Sequence, residues 1–176
     1  MKNSYLFFLM LCCFSCSKSI PRKPINPKPS TTLYKETIKK AISLNKIEDD
    51  KILQLIKNDS TKVYVQSSQG FWYRYIHKIE ENTPTPEKGN EVIFEYEIRN
   101  LNDSLLYSKE DLGIKSYVVD KEDFISGLQK GIKLMKIGET IIFVLPSYSA
   151  FGITGDGNKI GINQSIISTV TLTNIK

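Results

Sequence analysis

The chain changes its hydrophobic period several times, and each change predicts an element. In "EVIFEYEI", Val92, Phe94, Tyr96 and Ile98 share one face while Glu95 and Glu97 share the other, which predicts a half-buried strand with Tyr96 turned toward a core or a pocket. The closing stretch "QSIISTVTLTNI" repeats the pattern with Ile166, Ser168, Val170 and Leu172, so Ser168 puts a hydroxyl where the alternation asks for an apolar side chain. "TKVYVQ" and "FWYRYIHKI" flank the turn "SSQG" and predict a hairpin, Val118 and Val119 end a further strand, and "ETIIFVLP" is a strand that stops at Pro146. Between the last two, "FISGLQKGI" predicts one or two helical turns with Ile125, Leu128 and Ile132 on a common side. Upstream, residues 33–58 place Leu33, Ile38, Ala41 and Ile42, then Ile47, Ile52, Leu55 and Ile56, at helical spacing. Asn45 followed by Glu48 has the form of a capping box, which predicts two short helices rather than one. They read as a packing extension, with a partner-binding or dimerising hairpin as the other reading.

The N-terminus carries a different signal. Lys2 precedes the apolar run "YLFFLMLCCF", too short to span a bilayer, so residues 1–15 are expected to be a cleaved export signal. "CFSCSKS" resembles the lipobox of bacterial lipoproteins, which implies lipidation of Cys16 as the first mature residue; the alternative is an ordinary signal with an incidental cysteine. Ser17 rather than Asp follows it, which favours the outer membrane of the cell envelope. Residues 16–32 then form a tether, with four of the seven prolines lying among Lys and Arg, a composition that favours extended geometry and buries no core. No cysteine follows position 16, which excludes disulfides and cysteine metal sites from the folded part. The formal charge of +5 is spread over interleaved Lys and Glu, with no basic stripe and stacking aromatics of the kind that binds nucleic acid.

Candidate chemistry is sparse. His77 has no metal-ligating neighbours in its strand and reads as a surface or packing histidine, and Trp72 reads as a packing aromatic. Ser147, Ser149, Ser165 and Ser168 have no positioned base, so nucleophilic catalysis is not expected. "GDGNKIG" lacks the Lys-Ser or Lys-Thr ending of a phosphate loop, and Asp156 and Asn158 are too few oxygen ligands for calcium. What remains is "SYSAFGITGDGNKIG", a glycine-rich loop hung with rings directly after Pro146.

From Lys88 onward, "GNEVIFEYEI", "FISGLQKGIKLMKIGE", "LPSYSAFG" and "SIISTVTLTNI" together resemble the FKBP-type peptidyl-prolyl isomerase domain. The resemblance covers residues 88–175 and is compatible with a domain over 61–176 after a helical extension at 33–60. With the lipoprotein start and proline tether, the chain as a whole is similar to the gliding-motility-associated FKBP-type lipoproteins of the Bacteroidota. The fold so implied is α+β, an antiparallel sheet wrapped around one short helix with a pocket between them, and its chemistry needs no cofactor and no metal.

Position by position, the resemblance implies that Tyr96 is a wall aromatic from the central strand, with Tyr117 a further wall candidate. Phe124 and Ile125 would open the short helix, with the Ile125 N–H donating to a substrate carbonyl, and Leu128 would be the floor. Phe151, with Tyr148 beside it, and Ile160 would come from the glycine loop, which Gly152, Gly155, Gly157 and Gly161 let curl over the site. Leu128 stands where the family usually has tryptophan, Phe151 where it has tyrosine, Ser168 where phenylalanine is frequent and Ser108 where an aspartate often lies, and the loop is one residue longer than usual. Two functions fit. One is an isomerase acting on X-Pro bonds of exported polypeptides as a lipid-tethered folding helper that supports gliding motility. The other is a non-catalytic scaffold gripping proteins of an envelope motility or secretion machine.

Overall fold

The computed structural model describes residues 31–58 and 61–176; the expected signal, Cys16 and most of the tether lie outside them. Helix α1 (Thr31–Asn58) is followed by strands β1 (Val65–Ser67), β2 (Phe71–His77), β3 (Glu91–Asn100) and β4 (Leu105–Tyr107). Then come a single helical turn α2 (Lys109–Leu112), β5 (Lys115–Val118), helix α3 (Ser126–Ile132), β6 (Thr140–Leu145), a 3-10 turn at Ser147–Ser149 and β7 (Ile166–Ile175). The strands form one antiparallel sheet in the order β1-β2-β6-β7-β3-β4, with β5 also paired to β3. This is the α+β architecture expected, with α3 packed on the inner face.

Strand alternation decides the two faces. Val92, Phe94, Tyr96 and Ile98 of β3 and Ile166, Ser168, Val170 and Leu172 of β7 are buried inward, where they meet Leu128 and Ile132 of α3. Ser168 is tolerated there because its hydroxyl donates to the Glu97 carbonyl of the neighbouring strand at 3.0 Å. On the outer face, Trp72, Val144 and Ile167 form a row across β2, β6 and β7, and Ile52 of α1 covers it with Leu53 and Ile56 beside it. Trp72 is therefore the packing aromatic expected, seated under a helix.

Residues 33–58 form one helix where two short ones are expected. No Gly or Pro interrupts positions 43–46, and an interior Asn costs a helix only about 0.7 kcal/mol. The capping box fails because Glu48 turns away from Asn45: its carboxylate accepts from Ser147 and Ser165 in the connection between β6 and β7. Residues 38–176 form one unit; in the other, residues 1–37, Thr37 Oγ1 donates to the Leu33 carbonyl at 2.9 Å. Among the described residues no helix is long and apolar enough to cross a membrane.

Candidate active site

A single cluster gathers all seven residues proposed from sequence, although they come from β3, β5, the approach to α3, α3 itself and the β6–β7 loop. Tyr96, Tyr117, Leu128 and Ile160 are buried members of that cluster, and Phe124, Ile125 and Phe151 pack on it half-buried. The division matters for chemistry. Leu128 and Tyr117 are 0% and 1% exposed, so a ligand meets them only after something moves, whereas Phe124, Ile125 and Phe151 already offer surface.

Phe124 is the hub. Its ring centre lies 5.6 Å from those of Phe94 and Tyr96 and 5.8 Å from that of Tyr117, with the Tyr96 contact nearly edge-to-face at 82°. The Lys115 ammonium sits 5.7 Å from the same ring centre. The approach to α3 is held by Gln129, whose side-chain amide donates to the Phe124 carbonyl at 3.0 Å. Ile125 is the N-cap of α3 with φ −54° and ψ 116°, and an apolar side chain there cannot cap the helix. Its backbone N–H finds no acceptor among the described residues, so a donor stands beside the half-buried rings without a partner. Burial pushes the Tyr96 phenol pKa up and keeps that ring neutral.

The opposite wall is built by short backbone closures. The Ser147 carbonyl accepts from Ala150 N–H at 2.9 Å and from Gly152 N–H at 2.8 Å, and the Gly152 carbonyl accepts from Asn163 N–H at 2.9 Å. These bonds flank Phe151 on both sides. Ser126 Oγ donates to the Ser149 carbonyl at 3.1 Å, tying α3 to this wall. Beyond Phe151 the chain turns back on itself at Gly155, φ +67°, where a Cβ would lie 2.3 Å from the Ile160 carbonyl oxygen, so no side chain fits. Gly161 does not share the positive φ of Gly152, Gly155 and Gly157; its N–H donates to Gln164 Oε1 at 2.7 Å.

One expectation changes here. Tyr148 does not wall the cluster: it is 41% exposed, and its hydroxyl donates to Asp49 of α1 at 2.8 Å. Partial burial and that hydrogen bond push its pKa well above the ordinary phenol value. Ser108, where the family often has an aspartate, caps α2, accepting from Asp111 N–H at 3.1 Å while the Asp111 carboxylate accepts from Ser108 N–H. The residue missed lies next to it. Tyr107 packs on the same cluster, its hydroxyl donates to Asp156, and the Asp156 carboxylate also accepts from Asn158 N–H at 2.9 Å and Ile160 N–H at 2.8 Å. An aromatic directly before Ser108 in "LLYS" is the signal that could have found it.

The cluster therefore presents aromatic and aliphatic surface with an unpartnered amide donor at Ile125. A structure of a peptidyl-prolyl cis-trans isomerase from Pseudomonas syringae pv. tomato matches this fold with a TM-score of 0.62 at 17% identity, over 76% of this chain and 94% of that one. The sequence model for FKBP-type peptidyl-prolyl cis-trans isomerases matches residues 82–173, from the loop before β3 to within β7, which takes in β3, the short helix and the glycine loop. With more than half of its length matched in that way, the chain belongs to the FKBP-type peptidyl-prolyl cis-trans isomerase family.

Proposed function

We propose that this protein accelerates cis/trans exchange at X-Pro bonds of exported polypeptides, using the cluster around Phe124, Ile125 and Phe151. The observation that carries the reading is the Ile125 N–H, left without an acceptor beside half-buried rings. Rotation about an X-Pro bond crosses a barrier of about 18–20 kcal/mol because the amide loses its resonance on twisting. A site that prefers the twisted form needs an apolar seat for the proline ring and a donor for the rotated carbonyl, and it needs no proton transfer. Tyr96, Phe124 and Phe151 supply the seat and Ile125 N–H the donor, while Leu128, Tyr117 and Ile160 back them from the core. The expected export signal and the lipid on Cys16 favour a domain tethered at the cell envelope, most simply the outer membrane. The similarity to motility-associated lipoproteins proposes gliding motility as the process served.

Ile125→Pro tests the donor directly. Proline takes φ near −65°, close to the −54° observed, and removes an N–H that the fold does not use; because it also replaces the Ile125 side chain packed on the cluster, Ile125→Ala, which keeps the N–H, is the control that isolates the donor. In an exchange-NMR assay with the full chain in mild detergent and a panel of X-Pro peptides, kcat/KM is expected to fall roughly tenfold, the worth of one hydrogen bond made in the transition state. Phe151→Tyr, which adds a hydroxyl at the wall, is expected to raise it. No acceleration by the natural chain with activity appearing in Phe151→Tyr would replace the enzyme by a binding module of the same fold.

A further inference from the structure

Glu48 belongs to α1, outside the segment matched to the family, yet its carboxylate reaches the loop that carries Phe151. Glu48 is buried, 8% exposed as a residue. Oε2 accepts from Ser147 N–H at 2.6 Å and from Ser165 Oγ at 2.9 Å, and Oε1 accepts from Ser147 Oγ at 2.7 Å. Ser147 opens the β6–β7 connection and Ser165 closes it, so one carboxylate holds both ends. Asp49, the next residue, takes the Tyr148 hydroxyl from the same loop. From Ser147 the restraint passes to Gly152 N–H and from the Gly152 carbonyl to Asn163 N–H, so the bonds flanking Phe151 hang from the point that Glu48 grips.

We infer that Glu48 is a positioning residue for the site, and that α1 sets the seat of the Phe151 wall against the N-terminal end of α3. The inference rests on the reading of Phe151 and Ile125 as the substrate-facing pair. Three donors converge on the carboxylate, and removing it leaves the buried Ser147 N–H without a partner. Glutamine is the conservative variant: its oxygen takes over the Ser147 N–H and Ser165 hydroxyl bonds, and the Ser147 hydroxyl turns to accept from the new amide.

The test compares the full chain with Glu48→Gln, Glu48→Ala and Ser165→Ala. Val92→Ala, a core truncation at the far end of β3, controls for general loss of stability. Backbone amide exchange is followed at Ala150, Gly152 and Asn163 against the β3–β7 ladder, beside X-Pro exchange kinetics. Glu48→Ala is expected to speed exchange at those three amides about tenfold or more relative to the ladder and to raise KM for an X-Pro peptide more than it lowers kcat. Ser165→Ala follows in the same direction with a smaller effect, Glu48→Gln stays within about threefold of the natural chain, and Val92→Ala leaves the three amides level with the ladder. Equal exchange in Glu48→Ala and the natural chain, or the same selective loosening in Val92→Ala, overturns the clamp. A loosened loop with unchanged kinetics overturns its role in positioning the site. If the natural chain shows no isomerisation, the exchange data still decide the clamp and the site reading alone falls.

Discussion

Gly131 in the last turn of α3 faces the ring of Phe143, and replacing it by alanine opposes two effects of known size. A Cβ at this position would lie 2.5 Å from Phe143 Cε1, 2.8 Å from Cζ and 3.0 Å from Cδ1. Ordinary contacts between carbons are about 3.5–4.0 Å, so the ring or the helix has to move by roughly an ångström. Phe143 is fully buried and braced by Phe71, whose ring meets it edge-on at 5.8 Å, so a shift of its ring presses on a packed neighbour. Overpacking of this kind costs about 1–3 kcal/mol, whereas the better helix propensity of alanine returns about 1 kcal/mol. With two of those contacts under 3.0 Å the overpacking cost belongs in the upper part of its range, about 2–3 kcal/mol, so the net expectation is a loss of about 1–2 kcal/mol, or a fall in Tm of roughly 2–8 °C for a chain of this length. Urea unfolding of Gly131→Ala, Phe143→Leu and the double variant reads both the loss and its cause, since a smaller side chain opposite the new methyl should make the pair less costly than the sum by about 0.5 kcal/mol or more. A Gly131→Ala chain as stable as the natural one would falsify the reasoning, because helix propensity would then outweigh the ring contact. Strict additivity with Phe143→Leu would refute it too.

Ser168→Ala removes the buried hydroxyl that donates to the Glu97 carbonyl and is expected to cost about 0.5–1.5 kcal/mol by urea unfolding; a neutral result would mean that the carbonyl is satisfied without it. Asp156 gives the loop an acid-sensitive joint. Desolvation raises its pKa, but the hydrogen bonds from Tyr107, Asn158 N–H and Ile160 N–H outweigh it and hold the carboxyl below its ordinary value. A folded pKa below the unfolded one contributes stability above about pH 3.9 and loses it as pH falls through the lower folded value. The Asn158 and Ile160 amide resonances should therefore titrate below about pH 3.9 and cease to do so in Asp156→Asn; a midpoint at or above the ordinary carboxyl value would contradict the bonding pattern.

Strand faces were legible because a period of two has only two registers, and a half-buried sheet leaves a single answer for Val92, Phe94, Tyr96 and Ile98. The short helix was legible for a similar reason, since Leu128 and Ile132 lie on one side of it and both go to the core. Length defeated the same reasoning at α1. Local chemistry at Asn45 and Glu48 offered a cap, and the choice between that cap and a bond to Ser147 belongs to a contact between residues 99 positions apart, which no local pattern contains. Tyr107 was lost similarly: the ring in "LLYS" marks a candidate, but its role comes from Asp156, 49 residues away, which no local pattern contains. Ser168 shows the converse. The residue broke the alternation, and the break was real, but its resolution by a neighbouring carbonyl needs the register of β3 against β7.

The missed contacts share a property that follows from the chemistry. A site that works by twisting an amide has no acid, base or metal whose residue type marks it, so its rate depends on where ordinary side chains are held. Phe151 and Ile125 are unremarkable residues in themselves; the role proposed for them depends on the separation between the loop and the start of α3. That separation is braced by groups outside the proposed seat: Ser126 on the Ser149 carbonyl, Asp156 midway along the loop, and Glu48 at its two ends. The family match begins at residue 82, after Glu48, and so omits one of the three. Transplanting the matched segment alone would carry over every residue proposed to face the proline and leave behind the carboxylate that seats Phe151.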